Sequence, residues 1–138
     1  MSVTYSDDAP WPGSADGGGR SLIFAGGDVG EALNWRPSQA ANGNPGSSDG
    51  TPYGGDSLID YALAGTPSLS GTLFTFSMNL GADEVSVQAQ HSTDLETWLP
   101  VSSSILSQEI SPDGLSRLIT VEMPEGAKGY GRVLVNFR

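Results

Sequence analysis

Apolar and polar residues alternate in several short runs in the second half of the chain. In the run VSVQAQHS, residues 85–92, the side chains of Val85, Val87 and Ala89 fall on one face of an extended strand. Similar runs occur at 73–79 (LFTFSMN), 105–110, 117–123 (RLITVEM) and 130–137 (YGRVLVNF). Turn-forming sequences separate these runs at 92–96, 112–114 and 124–126. This pattern predicts an all-β fold, a small antiparallel sandwich over residues 57–138.

One short helix is predicted at the start of this region. In DSLIDYALAG, Leu58, Ile59, Ala62 and Leu63 have helical spacing behind Asp56, which we take as the N-cap. Gly65 and Pro67 then stop the helix after about two turns. We expect it to cover one end of the sheet.

The first 56 residues differ in composition from the rest of the chain and hold 12 of the 19 glycines. Short extended runs at Val3–Tyr5 and Ser21–Phe24 predict a Gly-rich strand segment over residues 1–35. Residues 36–56 contain almost nothing apolar and are typical of a linker or long loop. We therefore divide the chain into 1–35, 36–56 and 57–138.

The charge balance excludes several classes of partner. The 138 residues carry 16 Asp and Glu against 6 Lys and Arg, for a net charge of −10. This balance argues against nucleic acid and against an anionic membrane surface as partners. The sequence contains no Cys and one His, so disulfides, thiolate metal sites and multi-histidine centres are excluded. No apolar run is long enough to insert into a membrane, and no secretion signal precedes the first strand.

Two groupings of residues invite a catalytic interpretation. His91, Ser92 and Asp94 lie close in sequence, but neighbouring residues of a strand point to opposite faces, so His91 and Ser92 should not meet. The carboxylate pairs Asp7–Asp8 and Asp83–Glu84 lie in turn-like sequence that builds no cleft. We expect no enzymatic activity.

Binding of a ligand explains these residues better than catalysis does, and two ligands are considered, calcium and carbohydrate. Calcium takes carboxylate and carbonyl oxygens in Gly-rich loops, and Asp16, Asp49 and Asp56 each flank glycines, although without EF-hand spacing. We expect no cofactor and no calcium site that matters for folding. Sugar rings could stack on exposed aromatic side chains, and the candidates are Trp35, Tyr53 and Trp98, with Trp11. The alternative is that these aromatic side chains belong to the core.

Residues 3–46 resemble the closing part of a bacterial lamin-tail domain. That family's end region reads Y-x-D-x-x-P-W-P-x-x-A-D-G-x-G-x-S-L, followed by N-W and G-x-P-G. The matching residues are Tyr5, Asp7, Pro10, Trp11, Pro12, Ala15, Asp16, Gly17, Gly19, Ser21, Leu22, Asn34, Trp35, Pro45 and Gly46. The resemblance implies an immunoglobulin-like β-sandwich of about twice this length, so the earlier strands are missing from this chain. Either another chain or the following domain completes the fold, or Met1 is a fragment boundary.

The second half resembles a C-terminal module of large secreted proteins from Verrucomicrobia-like and Planctomycetes-like bacteria. Those modules have an L-x-x-Y-A-L-G helix and a V-x-V-x-x-S-x-D-L-x-x-W hairpin. The matching residues are Leu58, Tyr61, Ala62, Leu63, Val85, Val87, Ser92, Asp94, Leu95 and Trp98. The calcium-binding acidic loop that often precedes the helix is reduced here to Gly54-Gly55-Asp56.

The two resemblances together imply a non-catalytic accessory module, structural or binding, of a secreted or cell-surface bacterial protein. The alternative is a lectin-like carbohydrate-binding module that uses its exposed Trp and Tyr side chains. Polysaccharide or another protein is the expected partner. A monomer is favoured, in which the N-terminal segment folds back onto 57–138; the alternative is a dimer through strand edges at Val3–Tyr5 and Ser21–Phe24.

Overall fold

The computed structural model describes residues 3–8, 11–101, 105–124 and 129–138. Within these residues, one helix, α1, spans Leu58–Ala62, and short 3-10 turns span Gly13–Ala15 and Ala32–Asn34. Nine strands are present in the same ranges: β1 Leu22–Phe24, β2 Trp35–Pro37, β3 Ser68–Ser70, β4 Leu73–Asn79, β5 Val85–Ser92, β6 Leu99–Pro100, β7 Ile105–Ile110, β8 Ser116–Glu122 and β9 Tyr130–Phe137. None of the described helices has the length and apolar character needed to cross a bilayer.

Two antiparallel sheets form the body of the molecule, in the orders β3-β4-β8-β7 and β6-β5-β9. Their inner faces enclose one apolar core, to which β4 and β8 contribute from one sheet and β5 and β9 from the other. The all-β sandwich predicted from the sequence is confirmed. In an immunoglobulin-type sandwich, strands A-B-E-D form one sheet, and C, F and G form the other. The order found here matches A-B-E-D and C′-C-F.

Alternation along the strands fixes which side chains enter the core. Val85 and Ala89 of β5 are buried, and Val87 packs against the same cluster. In β8, Ile119 is fully buried, whereas its neighbour Leu118 is exposed. Period-two spacing therefore gave the correct inward face for both strands. The turn at 112–114 is also confirmed, whereas that at 124–126 lies partly outside the described residues.

Helix α1 lies where the sequence placed it but is shorter than two turns. Its N-cap is Ser57, not Asp56, and the Ser57 hydroxyl accepts a hydrogen bond from the Asp60 amide. Ala62 and Leu63 are buried as expected, but Ile59 is 48% exposed. Leu63 already forms a bridge to Met78 of β4, so sheet pairing ends the helix before Gly65 is reached.

The N-terminal part forms a hairpin that crosses the predicted boundary at residue 35. Strand β1 pairs with β2, with Leu22 opposite Pro37 and Phe24 opposite Trp35. One edge of the strand predicted at 21–24 is therefore paired within the chain. Residues 3–5 form no strand, so that part of the strand prediction is wrong. The division into three parts otherwise stays a prediction.

Two buried arginines hold this hairpin against the sandwich. Arg36 Nη1 donates to Asp49 at 2.5 Å, while its Nε and Nη2 donate to the two carboxylate oxygens of Asp83 at 2.7 and 2.8 Å. Arg117, on β8, donates to the Trp35 carbonyl at 2.6 Å. The predicted linker thus supplies Asp49 to an ion-pair network that spans residues 36–83.

The charged groups of this contact have shifted pKa values. Burial alone would raise the pKa of Asp49, but hydrogen bonds from Arg36 and the Gln39 amide outweigh it and hold the pKa below its ordinary value. Burial, followed by the neighbouring positive charges of Arg36 and Arg138, lowers the pKa of Arg117 to about 10. Even so, Arg117 remains protonated at neutral pH.

Candidate functional site

The residues His91, Ser92 and Asp94 form the end of β5 and the turn that follows it. The Ser92 hydroxyl donates to the Asp94 carboxylate at 2.9 Å and accepts the amides of Asp94 and Leu95. Ser92 is 1% exposed, and its hydroxyl donates its hydrogen bond to Asp94, not to His91. The arrangement is a side-chain-capped turn, as expected when neighbouring strand residues face opposite ways.

Asp94 completes this turn as an acceptor. Backbone amides of Thr97 and Glu96 donate to its carboxylate at 2.8 and 2.9 Å. These bonds, with that from the Ser92 hydroxyl, lower the pKa of Asp94 to about 2. A carboxylate with so low a pKa is a poor general base near neutral pH.

The three calcium candidates lie in different environments. The Asp49 side chain is 6% exposed and binds Arg36, so its oxygens already face a cation. Asp16 is exposed at the end of the 13–15 turn, and Asp56 is exposed just before α1. Within the described ranges, no three Asp, Glu or His side chains form a metal-binding group. The calcium interpretation stays a prediction.

Trp35 belongs to an aromatic cluster of the N-terminal segment. Its ring lies 4.9 Å from that of Phe24 and 6.2 Å from that of Trp11, measured between centroids. Its indole Nε1 donates to the Val29 carbonyl at 2.9 Å. Trp35 is half-buried, so these contacts give it a clear packing role.

Trp98 lies against the outer face of the β6-β5-β9 sheet. The Arg132 guanidinium is stacked 4.2 Å above the ring centroid, and Arg132 Nε also donates to the Gln90 side chain at 2.8 Å. Gln90 in turn donates to Gln88 at 2.8 Å. One ring face of Trp98 is thus covered by a cation, so a sugar could stack there only by displacing Arg132.

Tyr53 lies in a third place, beside α1 and the end of β9. Its ring is 5.2 Å from those of Tyr61 and Phe137, edge-on to both. The Tyr53 hydroxyl donates to the Asp56 carbonyl, and the Tyr61 hydroxyl donates to the Thr51 carbonyl at 2.6 Å. The structure therefore brings Tyr53 together with Asp56, but not with Trp35 or Trp98.

Two cavities meet at Tyr61 and Asp60, and we call them together the Tyr61 groove. One, of about 350 Å³, is also lined by Gln39, Thr51 and Asn79, with Gly81, Ala82 and Leu115. The other, of about 310 Å³, is also lined by Pro52, Tyr53, Gly54 and Asp56. The two cavities therefore share Asp60 and Tyr61 of α1; residues of the predicted linker line both, and the loop after β4 lines the first.

The groove combines aromatic rings with oxygen-rich side chains. Asn79 is occupied, because its amide donates to the carbonyls of Asp60, Tyr61 and Leu63. The carboxylates of Asp56 and Asp60 make no hydrogen bond to any residue that the structure describes. Burial raises the pKa of Tyr61, and the charges of Glu84 and Asp83 raise it further. The Tyr61 hydroxyl thus stays protonated, and its one hydrogen is donated to the Thr51 carbonyl.

Sequence reasoning found Tyr53 and Asp56 but missed Tyr61, Asp60 and the groove. A signal was present, because Tyr61 is the large residue of DSLIDYALAG that does not belong to the predicted buried stripe. Gln39 and Thr51 carried no such signal. They approach the groove only because the chain folds over Gly81, where an added Cβ would lie 2.5 Å from the Thr51 hydroxyl oxygen.

Comparison with known proteins assigns no function, so a functional proposal rests on the geometry described above. No family model, no curated protein and no solved structure matches the chain.

Proposed function

We propose that this chain is a non-catalytic accessory module of a secreted or cell-surface bacterial protein. The observation that carries the proposal is the capped turn at Ser92–Thr97. There the Ser92 hydroxyl and the Asp94 carboxylate bond to each other and to backbone amides, and so fix a loop. The lamin-tail resemblance of residues 3–46 and the secreted-module resemblance of the second half support the same class.

Turnover measurements test the non-catalytic part of this proposal. Purified chain is incubated with chromogenic esters, glycosides and phosphate esters, alongside the variants His91→Ala and Asp94→Asn. We expect no turnover above background from any of the three proteins. Turnover by the wild-type chain that His91→Ala abolishes, while its unfolding midpoint is unchanged, would identify an enzyme.

Surface exposure on cells tests the location. Antibodies raised against the folded chain should label intact cells of the source bacterium or detect the protein in the medium. Protease added to intact cells should remove the signal. A signal found only after lysis, in the fraction that holds cytoplasmic markers, would contradict the proposal.

A specific observation also favours carbohydrate as the ligand of this module. The Tyr61 groove places two tyrosine rings beside the carboxylates of Asp56 and Asp60. Aromatic faces stack on the apolar face of a sugar, and carboxylates accept hydrogen bonds from its hydroxyls. Because the groove is acidic, with Glu84 bonded to the Tyr53 amide at its margin, we propose a neutral or amino-substituted glycan over an acidic one.

Isothermal titration with soluble oligosaccharides tests this ligand class. The panel contains neutral cello- and xylo-oligosaccharides, amino-substituted chitosan oligomers and the acidic polygalacturonate. Asp60→Asn should weaken binding roughly tenfold, because charge-assisted hydrogen bonds are the stronger ones. Glu122→Gln, an exposed change on β8, should leave it unaltered. No binding by the neutral or amino-substituted glycans, or equal binding by Asp60→Asn, would exclude the groove as a sugar site.

A further inference from the structure

The second cavity of the Tyr61 groove offers a ligand side-chain hydrogen-bond acceptors but no free side-chain donor. Its polar side chains are those of Tyr53, Asp56, Asp60 and Tyr61. The hydroxyl hydrogen of Tyr53 is donated to the Asp56 carbonyl, and that of Tyr61 to the Thr51 carbonyl. An ionised carboxylate can only accept hydrogen bonds. The side chains therefore present carboxylate oxygens and aromatic rings to whatever enters this cavity.

Most backbone amides at the same cavity are also used. The bonded amides are those of Tyr53 (to the Glu84 carboxylate, at 2.9 Å), Asp60 (to the Ser57 hydroxyl, at 3.4 Å) and Tyr61 (to the Ser57 carbonyl, at 2.9 Å). Pro52 has no amide hydrogen, so the remaining backbone donors are those of Gly54 and Asp56. Acceptors thus predominate over donors along the whole cavity wall.

The negative charge at this cavity is not balanced by a neighbouring cation. None of the residues that line the two cavities is a lysine, an arginine or a histidine. Both salt bridges among the described residues belong to Arg36, which is held by Asp49 and Asp83. The guanidinium of Arg20 donates to two backbone carbonyls of the predicted linker, at 2.5 and 2.7 Å. The carboxylates of Asp56 and Asp60 therefore favour a cationic ligand.

The two tyrosine rings favour a cation for an independent reason. The centroids of Tyr53 and Tyr61 are 5.2 Å apart and the ring planes meet at 64°, so the rings form two walls of a corner. Both side chains are half-buried. The face of an aromatic ring carries partial negative charge and attracts a cation placed over it. We call these two rings, with the carboxylates of Asp56 and Asp60, the aromatic corner.

An ammonium group matches the aromatic corner better than a hydroxyl group does. An ammonium has three hydrogens to donate, accepts nothing and carries a positive charge. A hydroxyl both donates and accepts, so in this corner its lone pairs would meet no side-chain donor. Hydrogen-bond inventory, charge and ring arrangement thus point to the same chemical group.

The first cavity of the groove has a different inventory. It is lined by Gln39 and Thr51, whose side chains each donate and accept. Both lie over Gly81, where an added Cβ would be 2.6 Å from the Gln39 amide nitrogen and 2.5 Å from the Thr51 hydroxyl oxygen. Such groups suit the hydroxyls of a sugar. Because the two cavities share Asp60 and Tyr61, one ligand that carries an ammonium beside hydroxyls can occupy both.

We propose that the aromatic corner binds the ammonium group of an amino sugar whose hydroxyls lie against Gln39 and Thr51. This inference rests on the proposed glycan-binding function and narrows it to glycans with free amines. N-acetylation of the amine removes its charge and adds a carbonyl oxygen, for which the side chains of the corner hold no donor. The groove therefore selects free-amine glycans over both neutral and N-acetylated ones.

Calorimetric titration with three tetrasaccharides tests the proposal. They are fully deacetylated chitosan tetramer, its fully N-acetylated form and cellotetraose, each titrated at low salt and pH 5.5. The deacetylated tetramer should bind the wild-type chain roughly tenfold more tightly than either of the others. Asp56→Asn changes a residue that lines the second cavity and not the first. It should reduce this preference to about twofold or less and leave the affinity for cellotetraose unchanged.

Two controls separate the aromatic corner from general attraction to an acidic protein. Glu109→Gln removes an exposed charge on β7 and should keep the full preference. A tetralysine peptide carries the same number of side-chain amines without sugar rings and should bind more weakly than the deacetylated tetramer.

Several results would overturn this inference. They are equal affinity of the wild type for the deacetylated and neutral tetramers, a preference that Asp56→Asn keeps, a preference that Glu109→Gln also loses, and tetralysine that binds as tightly as the sugar. In each of these cases binding of cellotetraose would still support the proposed function. Absence of binding by all three tetrasaccharides would overturn both.

Discussion

Removing the guanidinium of Arg36 should strongly destabilise the protein. Arg36 is 3% exposed and is paired with Asp49, which is 6% exposed, and with Asp83, which is 29% exposed. In Arg36→Met the side chain still fills the space, but Asp49 remains in a buried site with no cation. Asp83 can regain water more easily because it lies nearer the surface.

The expected loss follows from the burial of Asp49. Breaking a buried ion pair by removing one partner lowers the free energy of unfolding by about 3–5 kcal/mol. For a chain of this length that corresponds to a fall in the melting temperature of roughly 10–20 °C. Urea unfolding followed by far-UV circular dichroism at pH 7 gives the free energy, and calorimetry gives the melting temperature.

Two variants show whether the buried carboxylate is the cause. Adding Asp49→Asn to Arg36→Met removes the uncompensated charge and should restore more than half of the loss. Arg132→Met makes the same chemical change at an exposed arginine that stacks on Trp98, and should lose about 1 kcal/mol or less. A loss below about 1 kcal/mol for Arg36→Met, or no recovery in the double variant, would refute the reasoning.

Three further predictions concern the sandwich and its turns. Ile119→Ala should lower the free energy of unfolding by about 2–5 kcal/mol, whereas Leu118→Ala, one residue away and exposed, should lower it by less than about 1 kcal/mol in the same urea titration. Because the folded pKa of Asp94 is about 2, the turn stabilises the fold above pH 4 and loses that contribution as the pH falls through 2. The midpoints of wild type and Asp94→Asn should therefore differ at pH 6 and converge near pH 2. Leu95→Gly should be neutral or stabilising by about 1 kcal/mol, because Leu95 is exposed and has a φ of 66°; a clear loss in the urea midpoint would contradict this.

The sequence by itself determined the elements whose signal is local. The alternation at 85–89 and 117–123 identified both inward faces correctly, because strand geometry sends successive side chains to opposite sides wherever the strand lies. The same rule places the side chains of His91 and Ser92 on opposite faces of β5. The position of α1 was also predictable, although its N-cap was misplaced by one residue, since Asp56 and Ser57 are both good capping residues.

Only the tertiary structure decided how distant segments meet. Nothing in the local pattern at 21–24 indicates pairing with 35–37, and nothing near Arg36 indicates Asp83, which lies 47 residues away. The Tyr61 groove likewise needs Gln39, Thr51 and Asn79 from separate segments. The position of β9 at the end of its sheet likewise depends on the order of all the described strands. Periodicity describes neighbours along the chain, whereas ion pairs, grooves and sheet edges depend on which segments pack together, and that is settled by burial and pairing over the whole molecule.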